Sequence, residues 1–320
     1  MFIIVCYNNN MIEKYMTMSD GRKSFYRIWN DVNKDNNKNV NLILVHGMTE
    51  HSLRYDEFAI FLNKNGITVY ALDLRGHGKT GNGYKRGWLS EKNGWMRTIL
   101  DVIELTHDVK SEFPTYKTVL FGHSMGSYLS RQIVSSFPDE FVAAIFSGTG
   151  TPNWVVRTFG PFISSCEKFR IGSKTPSKFM NNMSFNSFNK PFTKEDGSVT
   201  GFEWLNRDEK EVQKYIDDPD CGFICTASFY SDLIRGVNKA TSKKSASKVN
   251  KDLPLLFISG DKDPVGDYSK GVMKAVELYK NAGVKKVEYK LYEGARHELT
   301  NELCKDEVFN DVLNFINDNV

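Results

Sequence analysis

Gly122-His123-Ser124-Met125-Gly126 places a serine between two glycines, directly after the apolar run Thr118 to Phe121 and before Tyr128, Leu129, Ile133 and Val134 at helical spacing. A strand that turns sharply into a helix exposes the hydroxyl of its corner residue, and flanking glycines remove the side chains that would clash there. Ser124 is therefore a candidate nucleophile. At neutral pH a serine hydroxyl needs a general base, and the base needs a carboxylate to orient it. Of the six histidines, His297 is best placed, because Glu293-Gly294-Ala295-Arg296-His297 follows the predicted strand Lys286 to Tyr292 and precedes a terminal helix. His46, His51, His77, His107 and His123 all precede the serine. His107 falls in a charged helix, and His123, fixed beside Ser124, is expected to point its side chain elsewhere.

For the carboxylate, Ser259-Gly260-Asp261-Lys262-Asp263-Pro264 follows the apolar run Leu255 to Ile258. Pro264 biases Asp263 toward an extended backbone that projects beyond the strand, whereas Asp261 suits a turn-capping role. Asp263 is the choice. The competing loop Ser147-Gly148-Thr149-Gly150 offers no acid. The resulting order along the chain, Ser124, Asp263, His297, is the one expected of an α/β-hydrolase. Acyl transfer also needs backbone donors for the oxyanion, one of them on the residue after the nucleophile. Met125 N–H is the first, and Met48 N–H, in the early glycine-containing loop His46-Gly47-Met48-Thr49-Glu50, is the second. Such a donor is worth about 3 kcal/mol of transition-state stabilisation in other hydrolases.

These loops need a sheet to carry them. Short continuous apolar runs at Leu42 to Val45, Thr68 to Leu72, Thr118 to Phe121, Val142 to Phe146 and Leu255 to Ile258 predict strands buried on both faces of a mostly parallel sheet. Helical patterns alternate with them, at Tyr55 to Asn63, Trp95 to Phe113 and the stripe Phe309, Val312, Leu313, Ile316, for which Thr300 is a candidate N-cap. Lys23 to Trp29 reads as an edge strand before an Asn/Lys/Asp-rich turn. The fold class is α/β, with residues 1–150 and 252–320 forming an α/β-hydrolase core flanked by helices. From 151 to 251 the alternation stops. That stretch, rich in Phe, Ser, Asn and Met, is too long for a plain loop and is expected to be an inserted, mainly helical cap, ending in a solvated Lys/Ser-rich return linker at Lys239 to Lys251. Its aromatics either pack the cap on the sheet or line an apolar pocket.

The 320 residues carry 42 Lys+Arg against 39 Asp+Glu, a net of +3, so no whole-chain field points to nucleic acid. With 40% hydrophobic and 25% charged residues the chain is neither disordered nor disulfide-dense. Cys6, Cys166, Cys221, Cys225 and Cys304 are scattered and odd in number, which suggests reduced thiols and a cytoplasmic protein. Cys221 and Cys225 could share a helical face, but with no histidine or further cysteine near them in sequence they read as ordinary thiols, and no metal is expected. The run Phe2 to Val5 is too short for a signal peptide or membrane span, and Met11 could be the natural start, with the first ten residues a tail lacking structural duty.

One resemblance spans most of the core. His46-Gly47-Met48-Thr49-Glu50-His51-Ser52-Leu53-Arg54-Tyr55, Asp73 to Gly78, Gly122 to Gly126, Ser259 to Pro264 and Tyr292 to His297 together resemble the ordered motifs of the monoacylglycerol lipase and lysophospholipase-like α/β-hydrolases. The resemblance implies Ser124, Asp263 and His297 as a triad, Met48 and Met125 as oxyanion donors, and Glu50 and Arg54 as structural or pocket-rim residues. Gly47, Phe159 and Phe188 complete the expected pocket. The expected reaction is cleavage of a carboxylic ester through an acyl-enzyme with no metal or organic cofactor. Because an aromatic- and Met-rich cap fits an acyl chain better than a compact polar group, the expected substrate is a small acyl ester, a monoacylglycerol or lysophospholipid. Contact with a membrane surface is expected to be transient at most, through the cap. Two alternatives stand beside it. An aminopeptidase-like amidase would draw on Glu195, Asp196, Glu203, Asp208 or Glu209 to hold a substrate amine, and a non-catalytic binding protein would keep the pocket without the chemistry.

Overall fold

The computed structural model describes residues 5–7, 11–30 and 36–320. Nine strands form one sheet: β1 (Val5–Tyr7), β2 (Met11–Thr17), β3 (Lys23–Trp29), β4 (Val40–Val45), β5 (Ile67–Leu72), β6 (Lys117–His123), β7 (Ala143–Ser147), β8 (Leu255–Gly260) and β9 (Val287–Tyr292). Their spatial order is β1-β2-β3-β5-β4-β6-β7-β8-β9. From β5 onward every pairing is parallel, while β1, β2 and β3 add on antiparallel.

The central strands are apolar throughout because both faces are covered. Side chains alternate across the pleat, so Leu42 and Leu44 of β4 face one core and Ile43 and Val45 the other. Helices α1 (Asp56–Lys64) and α10 (Lys305–Asn317) close the first face with Phe58, Leu62, Phe309, Val312 and Ile316. Helices α2 (Gly94–Glu112), α3 (Met125–Ser136) and α9 (Lys270–Asn281) close the second with Ile99, Val102, Leu129, Ile133, Val276 and Tyr279.

Between β7 and β8 the chain runs through α4 (Trp154–Ile171), α5 (Lys178–Phe185), α6 (Glu209–Asp217), α7 (Ala227–Ala240) and α8 (Lys243–Ala246). The last two are not set apart from the core. Phe229 and Tyr230 of α7 are buried in the cluster that holds α2 and α3, and Ala240, Ala246 and Val249 join them. The Lys/Ser-rich return is thus seated on the core by Ala240, Ala246 and Val249, while Lys239, Lys243, Lys244, Ser247, Lys248 and Asn250 face water. No helix among the described residues is long and apolar enough to cross a membrane.

Several local expectations need correction. Strand β3 is interior, between β2 and β5. Its buried Arg27 is tolerated there because Glu13 and Asp73 each lie 3.2 Å from its guanidinium. Met11 opens β2, and the backbone of Val5–Tyr7 pairs with it, so the tail has a structural part. The rest of Phe2 to Val5, Asn8 to Asn10 and residues 31–35 of the following turn lie outside the described residues. Thr300 sits in a short 3-10 turn and does not cap α10, whose N-cap is Cys304. Cys221 and Cys225 precede α7 and share no helical face.

Candidate active site

Ser124 lies at the corner between β6 and α3 with φ +51° and ψ −120°, a conformation costing on the order of 1–3 kcal/mol for a residue with a Cβ. Its neighbours hold it there. Ser124 N–H donates to Ser147 C=O at 2.9 Å, and Ser124 C=O accepts from Ser127 N–H at 2.9 Å. The glycines answer to crowding: a side chain at Gly126 would meet the carbonyls of Val45 and His46, and one at Gly122 would meet Gly126 C=O and Ser130 Oγ.

The loops after β8 and β9 bring Asp263 and His297 together. His297 Nδ1–H donates to Asp263 Oδ2 at 2.9 Å, and Val265 N–H donates to Asp263 Oδ1 at 2.8 Å. Asp263 is fully buried, so its carboxylate has no competing solvent. Asp261 instead accepts from Gly294 N–H at 2.8 Å and is part-exposed beside Lys262, the turn-capping arrangement expected of it. Burial disfavours the charged form of His297, but the charge and hydrogen bond of Asp263, with Glu298 and Glu50 behind them, outweigh it and raise the pKa above the ordinary histidine value.

Ser124 and His297 open into one cavity of about 290 Å³, which Gly47, Met48 and Glu50 also line. The loop that carries Met48 is tied on both sides. His46 Nδ1–H donates to Gly47 C=O at 2.7 Å, and its Nε2 accepts from Leu74 N–H at 2.9 Å. Gly47 N–H and Tyr55 O–H both donate to Glu50 Oε1. Thr49, at φ +55°, offers its carbonyl to Tyr215 O–H and Gly222 N–H, each at 3.0 Å. Met48 N–H makes no hydrogen bond to protein among the described residues, and Met125 N–H is the first of α3, with no carbonyl one turn back. A helix N-terminus and an unspent loop N–H beside a serine can together receive an oxyanion.

Arg54 stands behind the cavity wall, not on it. It is buried, 2.5 Å from Glu298 and 3.8 Å from Glu50, with its guanidinium over the Tyr215 ring. Burial first and the Glu298 charge second push the Glu50 carboxyl up to about 7. Phe188 packs edge-on against Trp204 and Phe185, which line the cavity, and so supports the wall from outside. Phe159 is misplaced by the sequence reading. It is half exposed on α4 against Trp154 and does not reach the cavity, because α4 turns that face outward.

The insertion supplies further lining residues, Trp204, Phe185, Phe202 and Tyr215 on the aromatic side and Asn181 and Asn189 on the polar side. Phe185, Phe202 and Trp204 are among the cap aromatics expected either to pack or to line a pocket, whereas nothing in the sequence pointed to Tyr215, Asn181 or Asn189. The Trp204 ring lies 5.0 Å from that of His297, tilted 38° to it. His123 also departs from expectation, since its ring lies 4.7 Å from that of His297 and lines the cavity. Burial, then the neighbouring His297, hold it well below the usual histidine pKa, so it stays neutral. None of Glu195, Asp196, Glu203, Asp208 and Glu209 lines the cavity. Glu203 is consumed by Asn189, Thr200 and Gly201, and Asp208 caps α6.

Comparison with known proteins identifies the family and its fold. The family described as "Serine aminopeptidase, S33" matches residues 36–304. The monoglyceride lipase of Rattus norvegicus is 30% identical over 305 residues, spanning 95% of this chain and 88% of that one. The monoacylglycerol lipase of Mycolicibacterium smegmatis is 24% identical over 92% of this chain and 93% of its own. Among solved structures, a thermostable carboxyl esterase from Bacillus coagulans in complex with glycerol superposes with TM-score 0.87 at 24% identity, over 97% of this chain and 98% of that one. A soluble variant of monoglyceride lipase from Saccharomyces cerevisiae, in complex with a substrate analog, gives 0.76 at 20% identity, over 96% and 94%.

Proposed function

The chain belongs to the serine aminopeptidase S33 family of α/β-hydrolases, and from that membership we propose that it is a carboxylic ester hydrolase acting on monoacylglycerols through an acyl-enzyme. The observation that carries the reading is one cavity holding Ser124 and His297, with buried Asp263 bonded to the imidazole and aromatic walls around the serine. Ser124 Oγ attacks the ester carbonyl as His297 Nε2 takes its proton. Asp263 holds the Nδ1–H tautomer and offsets the imidazolium charge. Met48 and Met125 N–H receive the oxyanion, and His297 returns the proton to the departing glycerol oxygen. Water then repeats the sequence on the acyl-enzyme and releases the fatty acid.

The cavity's division supports the substrate class. Phe185, Phe202 and Trp204 suit an acyl chain, and Asn181 and Asn189 suit the hydroxyls of a small neutral head. Trp154, Phe162 and Phe169 on α4, exposed at 70%, 71% and 94%, support transient contact of this face with the lipid that presents the substrate. Cys166, Cys221, Cys225 and Cys304 are free, in keeping with a cytoplasmic enzyme, and the chemistry calls for no cofactor. In a panel of monoacylglycerols, lysophospholipids and amino-acid amides, monoacylglycerols of medium or long chain should have the highest kcat/KM. Preference for amides with a free amine would replace this reading with the amidase.

Activity should follow the protonation of His297. Only the neutral imidazole can accept the Ser124 proton, so kcat/KM for an uncharged ester rises with pH through the raised His297 pKa and levels off above it. Glu298→Gln removes one of the carboxylates that lift this pKa and should move the acidic limb to lower pH. A limb at or below the ordinary histidine value would contradict the assignment.

Tyr215→Phe addresses the Met48 loop. Loss of the phenol leaves Thr49 C=O with Gly222 N–H alone and frees the strained turn. A loosened oxyanion donor should lower kcat about tenfold, less than the hundredfold or more of outright donor removal, while KM stays within about twofold because the ring remains. An equal rise in KM with unchanged kcat would make Tyr215 a substrate contact instead.

A further inference from the structure

We infer that His51, Asp218 and Cys221 form a binding site for a thiophilic divalent cation, with zinc the best match, at the seam between the loop after β4 and the turn after α6. In sequence Cys221 has only aspartates and Cys225 near it, and the fold brings His51 to it and to Asp218. His51 Nε2 lies 2.9 Å from Asp218 Oδ2, and the ligand atoms of all three residues fall within 4.8 Å of one another. Imidazole, carboxylate and thiolate are the three donor types that zinc accepts, and tetrahedral closure needs only one water more.

The site is built rather than incidental to a charged surface. His51 and Cys221 are buried, and Asp218, 29% exposed, leaves one side open for the ion to enter. Cys221 N–H donates to Asp218 C=O at 3.0 Å and Asp220 N–H to Asp218 Oδ1 at 2.8 Å. One tight turn therefore presents thiol and carboxylate together, with Oδ1 held by Asp220 N–H and Oδ2 turned toward His51, where the ion would enter between them. The neighbouring cation, Arg54, is matched by Glu298 and Glu50. None of the three ligands lines the cavity of Ser124.

Binding balances as follows. The Cys221 thiol releases its proton to solvent as the metal–sulfur bond forms. The Nε2–H that His51 gives to Asp218 also leaves, passing through solvent to Nδ1 of a neutral ring or being released from an imidazolium, so that the Nε2 lone pair and Asp218 Oδ2 both face the ion in place of their hydrogen bond. One carboxylate and one thiolate then neutralise the two charges of the ion. Because Tyr215 and Gly222 already hold Thr49 from the same side, the ion would cross-link the insertion to the loop carrying Met48.

The full chain, stripped with chelator, is titrated with Zn2+ by calorimetry and with Co2+ by absorption. The expected result is one ion per chain, a thiolate-to-cobalt charge-transfer band, and a rise in Tm of a few degrees at saturating Zn2+. Cys221→Ser should abolish the band, and Asp218→Asn should weaken Zn2+ binding by about tenfold or more, while Cys166→Ser changes neither. Circular dichroism of the metal-free variants establishes that they are folded, and if Cys221→Ser is not, Asp218→Asn carries the test. No stoichiometric binding, a cobalt spectrum without the thiolate band, or binding indifferent to both substitutions would overturn the site. These readouts do not depend on ester turnover, so failure here leaves the proposed function standing, and the reverse.

Discussion

Ser124→Ala is expected to lower kcat for a monoacylglycerol by about four to six orders of magnitude while the chain stays folded. The size follows from what the hydroxyl does: without it no acyl-enzyme forms, and only the oxyanion donors and substrate binding remain to assist water. The fold should survive because the bonds that hold the corner, Ser124 N–H to Ser147 C=O and Ser127 N–H to Ser124 C=O, belong to the backbone. Alanine keeps the Cβ that already tolerates φ +51°. Substrate turnover, with circular dichroism as the fold control and an alkylphosphonate probe to report the nucleophile, decides the matter. A variant that keeps a tenth of wild-type activity would remove Ser124 from the reaction, and a wild type that neither turns over esters nor takes the probe would favour the non-catalytic reading.

Asp263→Asn should be nearly as damaging, lowering kcat by about 10⁴-fold. An asparagine can turn its amide toward His297, and an N–H there demands that Nδ1 accept, which moves the imidazole proton to Nε2 and removes the base that faces Ser124. The buried position of Asp263 allows no water to restore the tautomer. Asp261→Asn is the matched control. Its carboxylate accepts from Gly294 N–H, a bond an amide oxygen can also accept, so the loss should stay below about tenfold. A larger loss at Asp261 than at Asp263 would mean that the wrong carboxylate had been paired with His297.

Most of the parallel sheet was legible from the chain because two-sided burial writes itself as unbroken apolar runs, each ended by the glycine or proline of its loop. Strands β1 to β3 were harder to read. In β2 the adjacent Glu13 and Lys14 break both an apolar run and a strict alternation, and in β3 a buried arginine imitates an exposed one until Glu13 and Asp73 are seen beside it. The insertion gave the weakest signal. Its aromatics announce burial somewhere, yet Trp204 packs against His297 while Phe162 and Phe169 face outward, and composition treats them alike.

By itself, then, the sequence determined the strand–turn–helix corner at Ser124, the pairing of Asp263 rather than Asp261 with His297, the position of His297 after a strand, and the α/β class. All of these rest on backbone preferences and side-chain periods that act over a few residues. Only the tertiary structure decided that Tyr215 and Gly222 hold the Met48 loop, that Arg54 is enclosed by Glu50 and Glu298 with Glu50 lifted to about 7, and that His51 meets Asp218 and Cys221. Those pairings join segments far apart in the chain. Their energies depend on desolvation and on which charges burial brings within a few ångströms, quantities that no local pattern encodes.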